Sequence, residues 1–468
     1  MLSLSNLEPV SYGFNRMQKV LVANRGEIAV RIIRACADLG LSTVAVYSEA
    51  DAEALHVHHA DEAICIGEAP SAKSYLKVSN LIAACEITGA DAVHPGYGFL
   101  SENANFASIC ESSGLVFIGP PSKAIALLGD KAAAKATAKS VKCPVIPGSD
   151  GVVSDVDTGL KEARKFGFPI FIKAVAGGGG KGIRIAYSEE DFIKKFIAAR
   201  TEADVSFNNP DVYLEKMIVN PRHVEVQVLG DKMGNYVYLG ERDCTVQRRR
   251  QKLIEETPSP KIDASLRKKI GSCAVDIVKA AKYHSAGTVE FLLDEKNNFY
   301  FMEVNTRIQV EHTITEELTG IDLVQQQIRI ARGEKLPFKQ KEIEFKGHVF
   351  EFRINAEDPT RNFAPSPGQL EHYIPPGGPH IRIDSACYSG YRIPPNYDSM
   401  IAKLIVKGKD RAEAIAHAKR ALREFHIAGV HSTIPFHQFM LEDKRFLTHE
   451  YTINYIDQLI AEGCTFTK

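Results

Sequence analysis

Two glutamates set in apolar strands carry the first chemical signal. Thr288-Val289-Glu290-Phe291-Leu292-Leu293 and Phe299-Tyr300-Phe301-Met302-Glu303-Val304-Asn305 read as strands joined by a turn around Asp294–Asn298. Pairing Glu290 with Glu303 centres the hairpin between Lys296 and Asn297 and leaves a four-residue loop, a common length. That register puts two carboxylates directly across from each other, about 4.5–5.5 Å apart at Cβ. Bare like charges there repel and raise one pKa. A divalent cation between them removes the conflict. Two carboxylates plus an amide oxygen from Asn305 suit Mg²⁺ or Mn²⁺ bridging nucleotide phosphates. Leu292 shares the face and could line a base pocket.

The alternation continues beyond the hairpin. Glu303, Asn305, Arg307, Gln309 and Glu311 fall on one face, and Val304, Thr306, Ile308 and Val310 on the other. A half-buried strand with a solvated face gives the same pattern. The order Glu-Asn-Arg-Gln-Glu instead offers metal ligands, then an anion-binding Arg, then a possible base.

Gly177-Gly178-Gly179-Gly180-Lys181-Gly182 lacks the spacing of a Walker loop, and a strand rather than a helix follows it. Strand–glycines–strand describes a hairpin flap, or else a floppy surface hairpin. In a flap, consecutive glycines turn backbone N–H groups toward an anion. Lys131, Lys173 and Lys252 are available to add positive charge. The basic run Gln247–Lys252 precedes Glu255-Glu256 and has no interleaved aromatics. A salt-bridged strand or an anion-site lining explains it better than nucleic-acid binding. His223 could touch phosphate, although a lone His is more often structural. Arg353, within Glu351–Glu357, could stabilise an oxyanion or form a structural ion pair.

The elements that must position these groups follow from periodicity. Lys19–Ala23, Thr43–Tyr47, Glu62–Ile66, Ala92–His94 and Leu115–Ile118 read as strands separated by helical stretches, the first being Gly26–Leu39. Such alternation predicts a doubly wound parallel sheet with ligands at the C-terminal strand ends. The loop His94-Pro95-Gly96-Tyr97-Gly98 is placed for that role. The expected organisation is an N-terminal extension (1–16), an α/β domain (17–120), a helical linker (121–145), a flap or lid module (146–217), a catalytic core (218–345) and a mixed α/β C-terminal domain (346–468).

Of the 468 residues, 44% are apolar and 25% charged, which excludes a disordered or collagen-like chain. The net charge of −1 gives no long-range field for nucleic acid or anionic membrane. No window approaches the ~18 consecutive apolar residues of a membrane span. The nine cysteines are scattered, with no Cys-x-x-Cys pair, so reduced thiols in a cytoplasmic setting are expected.

Several separated motifs together resemble biotin carboxylase, a family of ATP-grasp enzymes that includes the first catalytic component of bacterial acetyl-CoA carboxylase. They are Ala23-Asn24-Arg25-Gly26-Glu27-Ile28-Ala29, His94 through Asn103, the glycine flap, and Glu303 through His312. The resemblance runs from about Met17 to about residue 463. It implies an ATP-grasp fold of mixed α/β and α+β class. This comprises a Rossmann-like doubly wound N-terminal domain, a mobile lid and a biotin-carboxylase C-terminal domain. It also implies carboxylation of biotin on a separate carrier protein, from ATP, bicarbonate and Mg²⁺ or Mn²⁺, through carboxyphosphate.

Carried over by position, Lys131, Lys173 and His223 resemble ATP-binding residues, with Gly178, Gly179 and Gly180 closing over the phosphates. Glu215, Lys216, Ile218 and Leu292 resemble adenine-site residues. Glu290 and Glu303 resemble the metal ligands, with Asn305 beside them. Lys252, Arg307, Gln309 and Val310 resemble the bicarbonate site, and Glu311 the base that deprotonates bicarbonate. Arg353 resembles the residue that stabilises the biotin enolate, and Tyr97 lies near biotin. Arg250 departs from the pattern, since the family usually has His there.

The implied partners are a biotin carboxyl carrier, carboxyltransferase subunits and a second copy of the chain. None of the seven methionines precedes a Lys, so the Ala-Met-Lys-Met carrier motif is missing. The biotin is therefore expected on another polypeptide. A pyruvate, propionyl-CoA or other acyl-CoA carboxylase built from two chains is the alternative setting.

Overall fold

The computed structural model describes residues 17–175, 182–207 and 209–467. Gly178, Gly179 and Gly180 of the expected flap lie outside them, as does the extension 1–16. Strands β1 (Lys19–Val22), β2 (Ser42–Ser48), β3 (Glu62–Gly67), β4 (Ala92–His94) and β5 (Val116–Phe117) form a parallel sheet in the order 3-2-1-4-5. Helices α1 (Gly26–Asp38), α2 (Leu55–His59), α3 (Val78–Thr88) and α4 (Ala104–Ser112) connect them. The winding reverses between β1 and β4, which opens a crevice at their C-terminal ends. Asn24 bridges it, its Nδ2 donating to the carbonyls of Pro95 and Tyr97, both at 2.7 Å. Gly96 has φ +61°, and a Cβ there would stand 3.0 Å from the Asn24 side chain and 3.2 Å from Ile28. The tight loop that presents Tyr97 therefore requires glycine.

On α1, Ile28, Ile32 and Cys36 are buried, as the helical period predicts. Glu27 and Arg31, on the charged side, are buried as well. Arg31 pairs with Glu316 at 2.9 Å and Asp322 at 2.6 Å. Their partners come from far downstream, which no local pattern signals.

The expected helical linker is α5 (Ser122–Gly129) and α6 (Lys131–Ser140). The lid then follows as α7 (Val156–Phe166), β6 (Ile170–Ala174), β7 (Ile183–Ala186), α8 (Glu189–Phe207) and β8 (Val212–Lys216), with a strand on either side of the glycine run as expected. Its antiparallel sheet runs β7-β6-β8. It has its own core of Ile170, Ile172, Phe192, Phe196 and Leu214. Phe192→Ala should cost the lid about 3–5 kcal/mol. Hydrogen exchange is expected to show β6 and β8 losing protection while the central sheet keeps it. Equal loss in both would refute an independent lid core.

The central sheet is antiparallel and eight-stranded. Its strands are β9 (Arg222–Gly230), β10 (Tyr236–Arg248), β11 (Gln251–Thr257), β12 (Ser285–Leu293), β13 (Phe299–Asn305), β14 (His348–Asn355), Met400–Gly408 and Ile381–Ser385. The order is β13-β12-β9-β10-β11-β14, then Met400–Gly408, then Ile381–Ser385. Helix α9 (Ala264–Ala280) packs Ile270, Ala274 and Ile277 against Val224, Val226, Val228 and Val289. The expected boundary at 345/346 falls inside this sheet. Ile254–Thr257 of β11 pair with Val349–Phe352 of β14, so the segments on either side share one sheet. β14 is buried along its whole length, as a central strand must be.

Two local expectations change. The hairpin loop has five residues, because Leu293 pairs with Phe299 and Phe291 with Phe301. A bulge then sets Glu290 opposite Glu303, as the sequence reading requires. Asp294 holds the loop by accepting from the Lys296 N–H at 2.9 Å and the Asn298 N–H at 2.8 Å. The strand also stops at Asn305. Residues 306–311 form a loop leading into helix α10 (His312–Thr319). The Thr306 N–H leaves the ladder for Glu102 Oε1, at 3.0 Å.

Cys143, after α6, and Cys273, on α9, form a disulfide with Cα atoms 5.6 Å apart. The expectation of reduced thiols does not hold for this pair. They are 130 residues apart in sequence, and only the fold brings them together. Among the described residues, no helix is long and apolar enough to cross a membrane.

Candidate active site

A row of charge crosses four strands of the central sheet. Glu303 on β13 pairs with Glu290 on β12, Glu290 with Glu225 on β9, and Glu225 with Arg242 on β10. Neighbouring strands stand about 4.8 Å apart, so three carboxylates line up on one side of the sheet. Two cations balance the inner end. Arg242 Nε donates to Glu225 Oε1 at 2.5 Å, and its other nitrogens reach Gln227, Thr288 and Thr315. Lys252, on β11, donates to Glu225 at 2.6 Å, Glu290 at 3.1 Å and Glu311 at 2.6 Å.

Glu311 is fully buried at the start of α10. Its Oε1 faces Lys252, and its Oε2 accepts from Arg353 at 3.0 Å. Burial pushes its carboxyl pKa up, but Lys252, Arg353 and Arg242 outweigh burial and hold it well below the usual range. Arg353 is gripped on its other side by Glu255, at 2.7 Å. Burial raises the Glu255 carboxyl to about 7.

The outer end of the row is not balanced. Glu303 is raised by burial and then by the charge on Glu290, while Lys131 stands 3.7 Å away. Lys252 and His223 serve Glu290 from the inner side, while Glu303 has only the more distant Lys131; a hard divalent ion, which takes oxygen ligands, fits between the two facing carboxylates. Asn305 lies beside them. Its Nδ2 donates to Glu290 Oε1 at 2.8 Å, and its Oδ1 accepts from Arg307 at 3.2 Å. The tighter acidic groups, His223–Glu225–Glu290 and Glu225–Cys244–Glu311, are already served by Lys252 and Arg242.

His223 Nε2 lies 3.0 Å from Glu290 Oε2, on the same face. On the lid side, Glu215 accepts from Lys173 and, at 3.2 Å, from Lys135. Lys216 Nζ is bound to the carbonyls of Gly167 and Phe168, at 2.9 and 3.2 Å. Ile218 and Leu292 are half-buried. In the 306–311 loop, Arg307 donates to Glu102 at 2.9 Å and to Gln309 Oε1 at 2.8 Å. Gln309 Nε2 reaches Glu290 Oε1 at 3.4 Å. The Val310 carbonyl accepts from Lys403 at 2.9 Å, and the Tyr97 hydroxyl donates to Glu27.

The basic run 247–252 divides. Arg249 and Arg250 form the exposed tip of the β10–β11 hairpin, with φ +49° and +69°. Arg248 reaches Asn362 and stacks on Phe363. Only Lys252 turns into the charge row. Sequence reasoning missed Glu225, Arg242, Glu255, Glu102 and Cys244. The available signal was Glu225, set between Val224 and Val226 in an alternating strand.

Comparisons with known proteins agree along most of the chain. Residues 16–125 match the family described as biotin carboxylase, N-terminal domain. Residues 130–339 match the carbamoyl-phosphate synthase L chain, ATP binding domain. Residues 351–458 match the biotin carboxylase C-terminal domain. Biotin carboxylase 1 of Bacillus subtilis is 54% identical over 448 residues, covering 96% of this chain and 100% of that protein. The chain belongs to the biotin carboxylase family. Its members are ATP-dependent ligases. The biotin carboxylase of Pseudomonas aeruginosa is 50% identical, with 95% of this chain and 99% of that one covered. A solved biotin carboxylase from Campylobacter jejuni, described as a β,γ-ATP complex, is 47% identical, with TM-score 0.87 and 94% and 98% coverage. The biotin carboxylase domain dimer of Hydrogenobacter thermophilus 2-oxoglutarate carboxylase, solved with MgADP, ADP and bicarbonate, is 48% identical, with TM-score 0.87 and 96% and 99% coverage. The chain is a biotin carboxylase subunit, as in bacterial and chloroplast acetyl-CoA carboxylase.

Proposed function

We propose that this biotin carboxylase uses Glu311 as the base that deprotonates bicarbonate and Arg353 to steady the biotin enolate. The observation that carries the reading is the clamp of Lys252 and Arg353 on the two oxygens of one buried carboxylate. Bicarbonate is a weak nucleophile, so it needs a base and a rigid anion site. Lys252, Arg307, Gln309 and the Val310 backbone surround that site. The bicarbonate oxygen attacks the γ-phosphorus of ATP, ADP leaves, and carboxyphosphate forms. A divalent ion held by Glu290 and Glu303 would supply charge neutralisation along the phosphates.

Lys131, Lys173 and His223 face the phosphate side, and Glu215, Lys216, Ile218 and Leu292 face the adenine side. The lid excludes water, since carboxyphosphate hydrolyses easily. Its breakdown releases CO₂ and a phosphate that removes the biotin N1 proton. Arg353 then balances the enolate oxygen, with Tyr97 beside the ring.

The partners we propose are a biotin carrier protein, an acetyl-CoA carboxyltransferase and a second copy of the chain, in the cytoplasm. The solved dimer of the 2-oxoglutarate carboxylase domain supports the second copy. The test is ATP cleavage measured with bicarbonate, with and without free biotin. Bicarbonate dependence with biotin stimulation is expected. Cleavage indifferent to both would refute the assignment. Pull-down of a pyruvate-type transferase in place of the acetyl-CoA enzyme would move the acceptor.

A further inference from the structure

We propose that Lys403 is a positioning residue that ties the bicarbonate loop to the biotin side of the site, through Val310 and Glu27. The inference rests on the functional reading above. Lys403 lies on the strand Met400–Gly408, in register beside Arg353 of β14, and its side chain is fully buried. A buried ammonium is costly, and a Met of similar volume would fill the space without that cost. Its partners explain why a cation stands there.

Nζ donates to the Val310 carbonyl at 2.9 Å and pairs with Glu27 Oε1 at 3.2 Å. The Val310 carbonyl belongs to the peptide unit that carries the backbone nitrogen of Glu311. Fixing that plane fixes the base and the loop in front of it. The same Glu27 oxygen accepts the hydroxyl of Tyr97. One ammonium thus holds the two walls of the site, one from the N-terminal domain and one from the 306–311 loop.

Two other acids, Asp384 and Glu351, share the field of Lys403, but neither accepts a hydrogen bond from it. Asp384, its neighbour in register, chelates Arg382 at 2.8 and 2.9 Å. Glu351 accepts from Thr313. Glu27 Oε2 has no partner among the described residues, so Glu27 depends on Lys403 and Tyr97 for orientation.

The test compares wild type with Lys403→Met, Glu27→Gln and the charge-neutral double variant Lys403→Met/Glu27→Gln. KM for ATP, bicarbonate and biotin is read separately from kcat. Lys403→Met should raise KM for bicarbonate and for biotin about tenfold or more, with KM for ATP nearly unchanged. Glu27→Gln should raise KM for biotin alone. The double variant removes both partners of the ion pair, so Glu27 is not left as a lone buried charge as it is in Lys403→Met. It should keep the bicarbonate defect. Recovery of the wild-type bicarbonate KM in the double variant would mean that Lys403 only balances charge, and would overturn the proposal. Equal losses for all three substrates would do the same. A wild-type protein without bicarbonate-dependent cleavage would instead sink the functional reading itself.

Discussion

Glu311→Gln should lower bicarbonate-dependent ATP cleavage at least about 100-fold, the usual worth of a positioned base. ATP binding should change little, because Glu311 touches neither the Glu290–Glu303 pair nor the lid lysines. The fold should survive. Lys252 keeps Glu225 and Glu290, and Arg353 keeps Glu255, so neither cation is left alone in the interior. The pH profile adds a second check. Lys252, Arg353 and Arg242 outweigh burial and hold the Glu311 carboxyl well below its usual range, so it is ionised throughout neutral pH. An acid limb in the wild-type rate therefore belongs to another group. Glu255, pushed up to about 7 by burial and bound to the same Arg353, is the group placed to produce it. Below that pH Glu255 takes a proton, and Arg353 is left with Glu311 as its charged partner. Stopped-assay rates from pH 6 to 9 would show this. Turnover in Glu311→Gln close to wild type would remove Glu311 from the role of base.

The parts of the site that follow local rules were legible in the sequence. Period-2 and period-3.6 patterns located the parallel sheet, the lid and the carboxylate hairpin. The Glu290–Glu303 register was reached although the loop is one residue longer than expected, because a bulge compensates for it. Two other features were not legible, for physical reasons. Polar alternation through Glu311 looked like a continuing strand. The ladder ends at Asn305 because the Thr306 N–H bonds Glu102, a residue 204 positions away. Glu225 and Arg242 neutralise each other inside the sheet, so each looked like an isolated charge until pairing set them side by side. Lys403 and Glu27 form the same kind of pair, on strands and helices from opposite ends of the chain. Charge compensation between distant segments leaves no periodic trace.

The largest effect is expected at Lys252, because its ammonium is shared by Glu225, Glu290 and Glu311. Lys252→Met keeps the volume and removes the charge. Bicarbonate-dependent turnover should fall about 1,000-fold, as for loss of a preorganised group facing developing negative charge. Unlike Glu311→Gln, this change should also unsettle the fold, by about 3–5 kcal/mol near neutral pH, since it leaves buried acids uncompensated. The sign of the pH dependence separates this account from simple packing loss. In the wild type, burial raises the Glu290 carboxyl, but Lys252 and His223 outweigh it and hold it far below the usual range. That contribution is present above the unfolded carboxyl pKa and is lost as pH falls through the folded one. Without Lys252 the facing carboxylates repel, and their folded pKa values rise. A raised acid favours the folded state at low pH and loses that advantage as pH climbs. The stability gap between variant and wild type should therefore narrow as pH is lowered from 8 toward 5. Urea unfolding at several pH values measures it. A gap that stays constant with pH would assign the loss to packing. Wild-type turnover in the variant would take Lys252 out of the anion site.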